Sequence, residues 1–215
     1  MNALLPAHEL RDWMARHLDP LEEREAADGV GRSDYDLNPE QFPPTTEPLT
    51  PASVLVALVE REAGLSVILT RRADTLRRHT GQVALPGGRR DPGETPWQTA
   101  LREAHEEIGL DPSFVTLVGL STPYRTGTGY LITPVVGFVR PGFTLTANPD
   151  EVADIFETPF GFLMDPANYE QKERTLPDGV TRRFYGMTHE NQYIWGATAG
   201  MLRALYDRLY GAAVA

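Results

Sequence analysis

Three glutamates, Glu103, Glu106 and Glu107, have the type and spacing that most directly suggest chemistry in this sequence. At i, i+3 and i+4 they share one helix face. They lie toward the C-terminal end of the segment TPWQTALREAHEEIGL (95–110), where the helix dipole disfavours negative charge by ~0.3–1 kcal/mol each. Arg102 and His105 offset only part of that charge. The natural remedy is a hard divalent cation, which prefers carboxylate oxygens. Taken alone, E-x-x-E-E is also the pattern of a solvated acidic helix face, and the residues upstream must decide between the two.

Upstream, Pro86-Gly87-Gly88 leads through RRDPG to Glu94. Adjacent glycines permit backbone conformations closed to other residues and a close approach of ligand or metal. Gly88, five residues, Glu94, seven residues and then Arg102-Glu103-Ala104-His105-Glu106-Glu107-Ile108-Gly109-Leu110 together resemble the Nudix box. Every fixed letter of that box is present. Ala104 stands where a larger aliphatic residue is usual, which touches packing rather than chemistry. The resemblance implies Mg2+ or Mn2+ held chiefly by Glu103 and Glu107, with Glu106 as a third ligand and a backbone carbonyl at Gly87 or Gly88 joining them. It also implies that Arg102 orients the glutamates and that Glu94 braces the loop.

A second stretch, LTRRADTLRRHTGQVALPGG (69–88), is similar to the segment that precedes the box in coenzyme A pyrophosphatases of the same superfamily. Leu69, Thr70, Arg72, Ala73, Arg77, Gly81 and Pro86-Gly87-Gly88 carry the likeness, with His79 and Gln82. Leu85 departs from it, standing where phenylalanine is usual. The implied reaction is hydrolysis of the pyrophosphate of coenzyme A or a derivative to 3′,5′-ADP and (acyl-)4′-phosphopantetheine. Arg72, Arg77, His79, Gln82 and Arg89 are the expected substrate contacts. Charge points the same way: residues 71–90 hold six arginines and one acid, in a chain of net charge −10. Such a patch beside a carboxylate–metal cluster suits a substrate with several phosphates. Singly, each arginine is as well explained by solvation or an ion pair. Glu151, in the loop NPDE, is the candidate general base and Asp150 its rival; an acid placed favourably at a helix N-terminus is the alternative. Tyr124, Tyr130, Tyr185 and Trp195 are candidates to stack on adenine, with core packing the more expected fate. Rival functions are hydrolysis of another nucleoside diphosphate derivative, a non-catalytic nucleotide-sensing module, and an acidic-helix interaction protein.

These residues need a scaffold. Thr95 as N-cap, Pro96 at the first helical position, Gln98 completing a capping box and Gly109 at the end delimit a helix over 96–108. Trp97, Leu101, Ala104 and Ile108 form its sheet-facing stripe. SVLVALV (53–59) and SVILT (66–70) read as buried strands joined by a turn at Gly64, and 114–121 and 130–139 as further strands. The segment 71–93 reads as a loop, 152–164 as a short helical or turn element, and 176–180 as a hairpin turn between polar strands. A helix is expected over 7–18, with Leu10, Trp13, Met14 and Leu18 on one face, and another over 197–210. Between them, 22–51 is Pro-rich and reads as an extended arm. These elements read as an α+β layered domain over 51–215, preceded by a helix and arm over 1–50, and the Nudix resemblance implies that its form is an α/β/α sandwich with a mixed central sheet. At 215 residues and 41% hydrophobic content a full core is affordable. The negative charge disfavours a sequence-independent grip on nucleic acid. No apolar run nears the roughly 20 residues of a membrane span, no secretory signal is evident, and the lack of cysteine fits a cytoplasmic protein. Either a monomer or a homodimer is compatible with the sequence.

Overall fold

The computed structural model describes residues 7–22, 31–43, 48–73, 81–176 and 179–211. In chain order the elements are α1 (Ala7–His17), β1 (Arg32–Ser33), β2 (Thr50–Arg61), β3 (Gly64–Arg72), β4 (Val83–Ala84), β5 (Gly87–Arg89), α2 (Pro96–Ile108), β6 (Val115–Leu120), β7 (Tyr124–Arg125), β8 (Tyr130–Val139), β9 (Val152–Pro159), α3 (Phe160–Leu163), β10 (Glu170–Thr175), β11 (Thr181–His189), β12 (Gln192–Trp195) and α4 (Gly196–Tyr210).

Among the described residues, β1 to β9 form one mixed sheet. Its main path is β1-β7-β8-β2-β3-β4, with β5 also on β2, β6 on β8 and β9 on β3. The central strand, β2, is parallel to β8 and antiparallel to β3 and β5. Its run of buried residues from Ala52 to Val59 reflects cover on both faces. Leu55, Ala57 and Val59 pack with Ile68 against Ala100, Ala104 and Ile108 of α2. On the opposite face Val54, Val56 and Leu58 pack with Leu10 and Met14 of α1, Phe160 and Leu163 of α3, and Leu202, Leu205 and Leu209 of α4. The result is the expected α/β/α sandwich. A second sheet, β10-β11-β12, buries Met187 and Ile194 in that second core. Among the described residues no helix is long and apolar enough to cross a membrane.

Two expectations need correction. Residues 152–164 are mostly strand: β9 runs along β3 from Ser66↔Pro159 to Arg72↔Val152, and only the last four residues of the segment's core, Phe160–Leu163, are helical. The pairing partner lies some eighty residues upstream, so local composition did not announce it. The stretch 71–93 is not all loop, since β4 pairs with β3 and β5 with β2. The partly ordered arm lies against the domain. β1 pairs in parallel with β7, and a 3-10 turn follows at Pro39–Gln41.

Side chains tie the arm down. Asn38, 1% exposed, donates to the Arg183 carbonyl at 2.8 Å and accepts from the Arg183 amide at 2.8 Å, as a strand would. Asp34 accepts from the Tyr124 hydroxyl at 2.9 Å and the Gly127 amide at 2.7 Å. Asn38→Ala is expected to lower unfolding stability by about 1–3 kcal/mol, because the buried amide's two hydrogen bonds to the Arg183 backbone would be lost. Urea unfolding checks this; a loss under about 0.5 kcal/mol would mean water replaces the amide.

Candidate active site

The acidic face is set by the helix that carries it. Thr95 accepts from the Gln98 amide at 3.3 Å while the Gln98 side chain accepts from the Thr95 amide at 2.8 Å, so the capping box forms as read. At the other end Gly109 adopts φ 66°, and its amide donates to the His105 carbonyl at 2.9 Å. The next loop then takes up the helix's last carbonyls: Thr146 donates to Ile108 and Asn148 to Glu107, at 2.8 and 2.9 Å. That loop delivers Glu151.

The glutamates lie at graded depth. Glu107 is 4% exposed, the Glu103 side chain is 15% exposed and that of Glu106 is 53% exposed. Glu107 accepts from the Gly87 amide at 3.0 Å and lies 3.8 Å from the Arg72 guanidinium. Arg102 binds the rest. Its Nε and one Nη grip Glu94 at 2.7 and 3.0 Å, its other Nη reaches both Glu103 and Glu106 at 2.9 Å, and it also donates to the Arg89 carbonyl at 3.1 Å. Glu94 is held further by the Thr99 hydroxyl at 2.8 Å and the Asp91 amide at 3.1 Å. The Arg102 bonds draw its carboxyl down to about 2.

Burial pushes the Glu107 carboxyl up to about 7, with Glu103 and Glu151 adding repulsion against the opposing Gly87 amide and Arg72. Glu103 is raised for the same leading reason, and Glu106 and Glu151 again add to it. Glu151 thus acts electrically on both inner glutamates. Gly88 is paired with Ser53, and a Cβ placed on it would lie 2.5 Å from a Glu103 oxygen, so the Glu103 carboxylate rests against bare backbone. A Cβ on Gly87 would strike the Ser53 carbonyl and the Val54 backbone.

Among the described residues no three acidic or imidazole side chains converge in ready ligand geometry. Glu103 leans on Arg102 and Glu107 on the Gly87 amide. The donor set nevertheless suits a hard divalent cation. It consists of carboxylate oxygens, those of Glu103 and Glu107 held by burial against ionising, beside a glycine backbone open to close approach.

A stability consequence follows. In the folded protein Glu107 keeps its proton up to about pH 7, whereas unfolded it releases it near 4.5. Its contribution is therefore fully present below pH 4.5 and is lost as pH rises through about 7. The loss is on the order of 3 kcal/mol. Urea unfolding in EDTA is expected to show this decline between pH 5 and 7.5, and Glu107→Gln to remove that part of it. Equal slopes in both proteins would refute the assignment.

Of the other expected residues, Arg72 is drawn to Glu107 rather than standing apart from it. Gln82 is half-buried, its carbonyl accepting from the Arg72 amide at 3.0 Å. Arg89 is exposed beside the glutamates, and Asp150 is exposed on the loop before Glu151. Arg77 and His79 lie outside the described residues, as does the centre of the 176–180 turn. Tyr124 is core, Tyr185 packs edge-on against Tyr169, Trp195 lies between Phe184 and Tyr193, and Tyr130 is 39% exposed. Sequence reading missed Ser53. Its buried hydroxyl has no hydrogen-bond partner among the described residues, and it sits on the α2 face in register with Gly88. The only signal was a polar residue at an inward position of a buried strand.

Residues 49–178, more than half of the chain, match the NUDIX domain, and the chain belongs to the Nudix family. It is a Nudix pyrophosphohydrolase; such enzymes act on small nucleotide derivatives and generally use divalent metals such as Mg2+ or Mn2+. Two relatives, each described as an uncharacterized Nudix hydrolase NudL, come from Yersinia pestis (strain Pestoides F) and Yersinia pseudotuberculosis serotype O:1b. Each is 40% identical over 159 residues, covering 74% of this chain and 79% of the relative. The crystal structure of the Nudix hydrolase RenU from M. smegmatis aligns over 63% of this chain and 82% of its own, with 24% identity and a TM-score of 0.46.

Proposed function

We propose that this Nudix hydrolase cleaves the pyrophosphate of coenzyme A or its derivatives, giving 3′,5′-ADP and (acyl-)4′-phosphopantetheine. The observation that carries the reading is the arginine-rich stretch 69–88, which resembles the coenzyme A subgroup. At its two ends it delivers Arg72 to within 3.8 Å of Glu107 and Gly88 against Glu103. A polyphosphate substrate placed on the glutamates would meet the Arg72 guanidinium there.

Glu103 and Glu107, with Glu106 at the solvent edge and the Gly88 backbone, would hold Mg2+ or Mn2+. When bound, the cation supplies neutralisation of charge on the pyrophosphate oxygens. Arg102 keeps Glu103 and Glu106 aimed. Arg72 and Arg89, with Arg77, His79 and Gln82, would take the substrate phosphates. Glu151, whose charge reaches both inner glutamates, would accept a proton from the attacking water. The new bond runs from that water oxygen to one phosphorus, and the bridging oxygen leaves with the other phosphate. Glu151 is preferred over Asp150 because its charge is felt at both Glu103 and Glu107. A cytoplasmic enzyme is proposed as well, in keeping with the absence of cysteine.

The test is a turnover screen of coenzyme A, ADP-ribose and NADH with Mg2+ and with Mn2+. Coenzyme A should give the highest kcat/KM, and a preference for either of the others would replace it as substrate. Glu151→Gln should lower kcat about a hundredfold; full turnover would remove it as the base.

A further inference from the structure

We propose that Phe42 and Arg125 form a second substrate subsite that takes an adenosine together with a phosphate on its ribose. The proposal rests on the coenzyme A reading and places the nucleoside end of that substrate.

Phe42 is 51% exposed, yet it closes an arm segment fastened at several points. Asn38 is bonded to Arg183, Asp34 to Tyr124 and Gly127, and the Gln41 amide to the Thr181 carbonyl at 2.9 Å. The Phe42 ring meets Tyr35 edge-on, with centroids 5.4 Å apart. The Arg125 guanidinium lies 4.5 Å from the Phe42 centroid. Half-exposed, such a ring gains little from burial. Rigid mounting with part of the ring free is what a base-stacking platform requires.

Arg125 is unlike most structural arginines of this protein. Arg32, Arg61, Arg102, Arg203 and Arg208 each meet a carboxylate. Among the described residues none pairs with Arg125, and its buried Nε has no hydrogen-bond partner. A cation held against a ring without a counter-charge suits a phosphate.

Strand register puts this pair on the catalytic side. Arg125 pairs with Leu131, and Leu131 with Pro51. Leu55, Ala57 and Val59 of β2 face α2, so by alternation Pro51, Leu131 and Arg125 share that face. Pro51, with Arg89 to Glu94, also lines an open cleft of about 370 Å³ beside the acidic cluster. In the lateral order β5-β2-β8-β7, Arg125 stands three strands from Gly88, roughly 14 Å at the backbone. A nucleotide whose diphosphate lies at the glutamates, met by an extended arginine, can bridge that distance.

The experiment compares coenzyme A with its 3′-dephospho form as substrates for wild type, Phe42→Leu, Phe42→Trp and Arg125→Gln. In parallel, calorimetry in EDTA measures binding of adenosine 3′,5′-bisphosphate against adenosine 5′-monophosphate. Phe42→Leu should raise KM for both substrates about tenfold with a much smaller change in kcat, and Phe42→Trp should recover most of that loss. Arg125→Gln should raise KM for coenzyme A about tenfold more than for the dephospho form, and should erase a preference for the bisphosphate that wild type displays. If KM for coenzyme A stays within about twofold of wild type in Phe42→Leu and Arg125→Gln, the subsite is refuted. Should Arg125→Gln not fold, Phe42→Leu, at an exposed position, carries the test alone. If wild type leaves coenzyme A intact and cleaves another nucleoside diphosphate, the coenzyme A reading fails. The stacking platform then stands or falls on whether Phe42→Leu raises KM for that substrate.

Discussion

Glu107→Gln is expected to lower kcat by about three orders of magnitude while leaving the fold intact. The amide is the same size as the carboxyl, and its oxygen can still accept the Gly87 N–H that Glu107 accepts at 3.0 Å. What disappears is one negative charge at the deepest point of the cluster. Stabilisation of transition-state charge by a metal amounts to several kcal/mol, and about 1.4 kcal/mol is a factor of ten. A ligand lost from such a site therefore costs roughly a thousandfold. Stability should move the other way. A buried carboxyl raised to about 7 is costly to ionise at neutral pH, so in EDTA the glutamine variant should unfold no earlier than wild type. Two measurements check this: turnover with Mn2+, and the rise in Tm on adding Mn2+ to EDTA-treated protein. A variant that keeps a tenth of wild-type turnover and the full Tm rise would exclude Glu107 as a ligand.

The second large effect is expected at Arg102. One guanidinium holds Glu94 with two bonds, Glu103 and Glu106 with one each, and the Arg89 carbonyl with another. Lysine keeps the charge, but it cannot reproduce a planar fork that serves partners on three sides. Arg102→Lys should therefore cost about 2 kcal/mol of stability and about a hundredfold in kcat/KM, because Glu103 is released and Glu94 is left without its bidentate partner. Urea unfolding and steady-state kinetics on the same preparation check both. Wild-type values in Arg102→Lys would mean that charge alone matters. Loss of stability with full activity would confine Arg102 to bracing the loop.

How much of this was readable beforehand depended on the range of the interactions. Helix α2 was legible to the residue because its signals are local: Thr95, Pro96, Gln98 and Gly109 act within one turn of the helix ends. For Glu94 the family resemblance suggested a loop brace, but its grip by Arg102, eight residues on, emerges only from the fold. The two placements missed most clearly, β9 and Ser53, depend on partners far away in sequence. β9 exists because β3 offers it a hydrogen-bonding edge, and DEVADIFE carries no strong strand pattern of its own. Ser53 matters only through its register with Gly88, which no local window contains. Arg72 was expected to face substrate, and its 3.8 Å approach to Glu107 depends on how β3 passes the end of α2. The anchoring of the arm follows from Asn38 meeting Arg183, residues 145 apart.

The loop that takes up the last carbonyls of α2 has a kinetic meaning. Because Asn148 donates to the Glu107 carbonyl, the loop bearing Glu151 cannot detach without stripping the partner from the last turn that carries the buried glutamate. Loop and helix end should therefore open as one cooperative unit rather than independently. Amide protons of Thr146, Asn148 and Gly109 would exchange with solvent at matched rates, and any additive that slows one would slow all three. The candidate base and its neighbouring glutamates would be assembled together or not at all, with no long-lived half-built form.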